Sequence, residues 1–67
     1  MFNNDKYDVQ TRSEENGLQY HETLEEAMRE ANKNFTIWKI SFSHKNERVR
    51  LVRDHSNPHM WVYESVL

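Results

Sequence analysis

His55 and His59 stand four residues apart, with Ser56 between them and Asp54 just before. Metal binding and nucleophilic hydrolysis both use such groups. Two histidines at that spacing share a face when they lie on a helix, but Pro58 interrupts this stretch and breaks any helix. Asp54 is the only carboxylate close by, and His21 and His44 belong to other segments. Loop histidines holding no metal are therefore expected. Hydrolysis needs a nucleophile beside a base, with an oxyanion hole in a cleft that excludes water. A short loop on a small scaffold supplies neither around Ser56. Glu14-Glu15 and Glu25-Glu26 fall in a turn and at a helix start, where acids serve structure. There is no glycine-rich phosphate loop. The absence of Cys excludes thiol nucleophiles, thiolate metal sites and disulfides. No enzymatic activity, metal or cofactor is expected.

The cationic side chains are the stronger candidate. In residues 36–53, TIWKISFSHKNERVRLVR, two alternating patterns agree on one register. Trp38, Ile40 and Phe42 share one side of a strand, and Lys39, Ser41 and Ser43 the other. Val49 and Leu51 share one side of the next, opposite Arg48, Arg50 and Val52. A turn centred on Lys45-Asn46 sets Phe42 against Val49, Ile40 against Leu51, Ser43 against Arg48 and Ser41 against Arg50. A slip of one residue would drive arginines under Phe42, so the register is well specified. The predicted hairpin has an apolar face and a cationic face. Lys39, Ser41, Arg48 and Arg50 form the candidate binding site, joined by Arg12 if the first strand lies nearby. Arginine can grip carboxylates or phosphates with two parallel hydrogen bonds.

The elements around this hairpin can be read in turn. Tyr7 to Arg12 alternates as a strand, with Tyr7, Val9 and Thr11 inward. Ser13 to Gly17 is turn chemistry, and Asn16-Gly17 is a strong hairpin signal. Leu18 to His21 reads as the return strand, with Leu18 and Tyr20 inward. Thr23-Leu24-Glu25-Glu26 is a capping box. Leu24, Ala27, Met28, Ala31 and Phe35 follow at helical spacing, and Asn32 and Asn34 are stop residues that tolerate the left-handed conformation. The predicted helix covers residues 24–34. After a loop over residues 54–59, residues 60–66 read as a final strand. One row there holds Trp61, Tyr63 and Leu67, and the other Met60, Val62, Glu64 and Val66. Glu64 suits a solvent-facing row beside the arginines, which turns Trp61 and Tyr63 inward. Both arrangements remain open, and Trp61, Tyr63 and Glu64 form a possible additional interface.

The resulting class is α+β: a small antiparallel sheet with one helix on one face, in the order β-β-α-β-β-β. Sixty-seven residues allow a single domain over 1–67 with one small core, its first five residues frayed. The start MFNNDKYD has neither the cationic leader nor the apolar run of a signal peptide, and no stretch reaches membrane-spanning length. A cytoplasmic protein with no membrane partner is expected. The net charge of −2 hides an asymmetry. Residues 1–31 hold eight acids against three bases, net −5, and residues 32–67 hold six bases against three acids, net +3. The acidic half disfavours a free phosphate backbone, and the predicted register leaves no exposed aromatic among the cations for base stacking. A protein or nucleoprotein partner is favoured over free nucleic acid, and a homodimer would help so small a core.

The succession YDVQT, NG, TLEEAMREA, WKISF, ERVRLVR and WVYE resembles the short accessory proteins encoded by tailed bacteriophages. Many of these are single β-rich domains with one helix, and some inhibit host defence or host enzymes by direct binding. The resemblance implies a non-catalytic inhibitor in the cytoplasm of a bacterial host, of anti-CRISPR or other anti-defence type. It assigns no individual residues.

Overall fold

The computed structural model describes residues 8–64. Five strands and one helix follow in the expected order: β1 (Val9–Ser13), β2 (Gly17–His21), α1 (Leu24–Lys33), β3 (Ile37–His44), β4 (Glu47–Arg53) and β5 (Trp61–Tyr63). They form one antiparallel sheet in the spatial order β2-β1-β3-β4-β5. Expectations for Tyr7, Val66, Leu67 and the frayed first five residues lie outside the described residues.

Local chemistry sets the element ends. The Glu26 N–H donates to the Thr23 hydroxyl at 3.0 Å, and the Glu26 carboxylate accepts from the Glu22 N–H at 3.3 Å. This satisfies two amides at the start of α1. The helix ends at Lys33, with Asn34 capping it in an extended conformation (φ −127°) rather than the left-handed one anticipated. The Asn34 side-chain oxygen instead accepts from the N–H and the hydroxyl of Thr36, which turns the chain into β3. Gly17 takes a left-handed φ of 70° at the β1–β2 turn, where a side chain would be strained.

The β3–β4 hairpin has the predicted register, with Phe42 opposite Val49, Ile40 opposite Leu51 and Ser41 opposite Arg50. Lys45 and Asn46 both have positive φ, as a two-residue turn matched to strand twist requires. Ala27 and Ala31 are fully buried, and their small size seats α1 close to the sheet. Below them lie Val9, Thr11, Ile37 and Ile40, with Leu24, Met28, Phe42, Leu51 and Trp61 packed around the margin.

The inward assignments of Trp38, Leu18 and Tyr20 are corrected, and Tyr63, though on the expected side, is exposed. Trp38 does not join the core. The pairing of Arg12 with Lys39 is followed by Ser13 with Ile37, so β3 carries one extra residue there. Such a bulge resets the alternation: Ile37 is buried at 1% exposure while Trp38 is left 44% exposed. Leu18 and Tyr20 also face outward, at 38% and 55% exposure. They pair with Arg12 and Gln10, and antiparallel partners share a face. Turning Val9 and Thr11 to the helix therefore sends Leu18 and Tyr20 to the opposite side, leaving His21 as the buried residue of β2. Finally, among the described residues β5 spans three of the predicted 60–66. Its pairing with Arg53 and Leu51 places Trp61 and Tyr63 on the helix side. Trp61 packs against the core, but Tyr63 is 77% exposed. The helix lies over β1, β2 and β3, so nothing among the described residues covers Tyr63.

Candidate functional site

The sheet face opposite α1 carries the predicted cationic residues. Strand pairing arranges them in rows across the sheet. One row runs Tyr20, Gln10, Ser41, Arg50, and the Glu64 N–H donates to the Arg50 carbonyl at 2.8 Å at its end. The next runs Leu18, Arg12, Lys39, Val52, Val62. Arg12, Lys39, Ser41, Arg48 and Arg50 thus share one face, and adjacent strands there are about 4.8 Å apart.

These residues are not equivalent. Arg48 is spent within the fold. Its guanidinium donates to the Asp8 carboxylate at 2.7 Å, to the Asp8 carbonyl at 3.1 Å, and to the hydroxyls of Ser41 and Ser43 at 2.9 and 3.1 Å. Asp8 also accepts from the Ser43 N–H at 2.6 Å. Burial pushes the Asp8 carboxyl upward, but the hydrogen bonds from Ser43 and Arg48 outweigh it and hold the group below its usual range. Arg48, placed in the candidate binding site by the sequence, is thus tied to Asp8, Ser41 and Ser43 rather than free on this face. Lys39 is half-buried and pairs with Glu64 at 3.2 Å. The guanidinium groups of Arg12 and Arg50 make no hydrogen bond or ion pair with another described residue. They are the cations this face has to offer, and Ser41 is occupied by Arg48.

Of the possible additional interface, Glu64 lies beside the cationic face through Lys39, whereas Trp61 and Tyr63 lie on the other side. Tyr20 and Leu18 take the place those aromatics would have filled. Their outward orientation follows from the register of β2 on β1, which sets Leu18 opposite Arg12 and Tyr20 opposite Gln10.

Arg53 was not anticipated as a structural residue. Its guanidinium donates to the carbonyls of Ile37, Pro58 and Ala31, each at 2.7 Å, and lies 4.6 Å from the ring centres of both Phe35 and Trp61. Burial lowers its pKa, though an arginine in this setting stays charged at neutral pH. The signal was present: Arg53 continues the inward row of Val49 and Leu51.

The histidine loop is ordered by its own backbone. The Ser56 and His59 N–H groups donate to the side chains of Asp54 and Asn57 at 2.9 and 3.2 Å. The His59 ring meets Phe35 edge-on at 5.1 Å. Among the described residues, no three His, Cys, Asp or Glu side chains stand together as metal ligands would, and no helix is long and apolar enough to cross a membrane. His21 is a buried latch instead, its Nε2 lying 2.9 Å from the Thr11 hydroxyl and its Nδ1 3.7 Å from the Glu26 carboxylate.

No family model, curated protein or solved structure matches this chain. The class the fold defines is α+β, a five-stranded antiparallel sheet with a helix on one face.

Proposed function

We propose that this chain is a small non-catalytic binding protein. Its sheet face opposite α1, which no described residue covers, docks on a host protein or nucleoprotein complex in a bacterial cytoplasm, as phage-encoded inhibitors do. The observation that carries the reading is a pair of arginines, Arg12 and Arg50, whose guanidinium groups meet no partner among the described residues, on a face that also exposes Tyr20 and Leu18. Arginine and tyrosine are enriched at the energetic centres of protein interfaces, and a guanidinium with no internal partner gives up no ion pair on binding. Acidic residues concentrate on the helix side, at Glu22, Glu25, Glu26 and Glu30, so an acidic partner would be steered to the sheet.

The test is capture from a bacterial host lysate by the wild type and by the double variant Arg12→Glu/Arg50→Glu, with the bound protein identified. Loss of a specific partner in a variant that still folds supports the reading. Equal capture by both refutes this face.

A second reading, binding of free nucleic acid, gains from Tyr20, which stands exposed beside Gln10 and one row from Arg12. It offers the stacking surface that the predicted register lacked. Titration with single- and double-stranded DNA and RNA decides between them. Micromolar binding with a steep salt dependence, lost in Tyr20→Ala, favours nucleic acid.

A further inference from the structure

Strand β2 is an edge of the sheet: β1 lies on one side and no described strand on the other. All five of its residues pair with β1 without a break, from Gly17 opposite Ser13 to His21 opposite Val9. Its backbone is therefore already held in a regular extended form. Edges of this kind are ordinarily guarded by a charged side chain, a proline or a bulge. The segment Gly-Leu-Gln-Tyr-His has none of these, in a chain that is 30% charged. Gly17 through Tyr20 are exposed, including the two large apolar side chains.

The segment is also self-complementary. When two copies of β2 run antiparallel about a two-fold axis through Gln19, Leu18 of each meets Tyr20 of the other. The strands then overlap over all five residues. Both contacts fall on the open face, and pairs of an aromatic with an aliphatic residue across strands are favourable there. Centring the axis on Leu18 or on Tyr20 shortens the overlap to three residues. The latter also sets Leu18 against Glu22. Overlap and charge select the Gln19 register. At the opposite edge, β5 offers three residues.

We propose that two copies of this chain associate through β2 into a continuous ten-stranded sheet. Because the two-fold axis is perpendicular to the sheet, both helices lie on one side and both uncovered faces on the other. The two Arg12 residues then flank the seam. The seam uses Leu18 and Tyr20 of the open face, and sedimentation of the isolated protein reads the association with no partner present.

The chain has no Cys, so one introduced thiol is a unique probe. Under mild oxidation Gln19→Cys should form a disulfide-linked dimer, while Val62→Cys on β5 should remain monomeric. In sedimentation the wild type should dimerise with rising concentration. Leu18→Lys/Tyr20→Lys sets like charges opposite each other twice and should raise the dissociation constant about tenfold or more. Circular dichroism should show the monomer fold retained. If the lysine variant fails to fold, Leu18→Ser/Tyr20→Ser gives the same comparison without added charge. A wild type that stays monomeric at millimolar concentration overturns the proposal. So does crosslinking through Val62→Cys in place of Gln19→Cys, or dimerisation untouched by substitution at Leu18 and Tyr20.

Discussion

Replacing Arg53 with alanine should remove about a third or more of this protein's stability, although Arg53 belongs to no proposed binding surface. The side chain ties three separate parts of the chain together: the last turn of α1 through the Ala31 carbonyl, the start of β3 through Ile37, and the loop before β5 through Pro58. A hydrogen bond from a charged group is worth about 1.5–3 kcal/mol. Arg53 is only half-buried, so water can reach part of what alanine would expose, and about 1 kcal/mol for each of three bonds is the appropriate scale. The two ring contacts add about 0.5 kcal/mol each. The expected loss is about 3–4 kcal/mol. At roughly 0.05–0.15 kcal/mol per residue, a chain of this length has about 3–10 kcal/mol in total. Urea denaturation followed by tryptophan fluorescence measures the difference, because Trp61 lies against the guanidinium. Arg53→Lys keeps the charge but cannot reach three carbonyls with one ammonium, so it should recover less than half of the loss. A midpoint for Arg53→Ala within about 0.5 kcal/mol of the wild type would refute the view that this residue clamps the helix end to the sheet.

Three further outcomes follow from the same structure. Ile40→Ala, at a fully buried position, should cost about 2–5 kcal/mol, and Trp38→Ala markedly less, which thermal melts of the two variants would compare. Arg48→Ala should cost about 1–2 kcal/mol by freeing Asp8, Ser41 and Ser43, whereas Arg12→Ala and Arg50→Ala should each change stability by less than about 0.5 kcal/mol. The Asp8 carboxyl is held below its usual value in the folded state, so its contribution is fully present above the unfolded-state pKa of about 4. It is lost as pH falls through the lower folded value, and Asp8→Asn should flatten the decline in melting temperature on that acid side.

The hairpin of β3 and β4 was legible in the sequence because its information is local. Alternation on two neighbouring strands and a two-residue turn admit one register, and a capping box with two alanines at helical spacing sets where α1 begins and which stripe it buries. These are short-range patterns that hold whatever the rest of the chain does. Other features needed residues far apart in sequence to meet. The bulge at Trp38 arises from the pairing of β3 with β1, twenty-odd residues earlier, and alternation within β3 alone carries no trace of it. The orientation of β2 is inherited from Val9 and Thr11 through the turn, so Leu18 and Tyr20 are exposed despite being apolar. The candidate site divides in the same way. That Lys39, Arg48 and Arg50 share a face follows from parity, a property of strands, while Arg12 joins them only because β1 pairs with β3. Which of them are free depends on Asp8 and Glu64 arriving beside Arg48 and Lys39, and ion pairs between distant residues are decided only when the chain is folded.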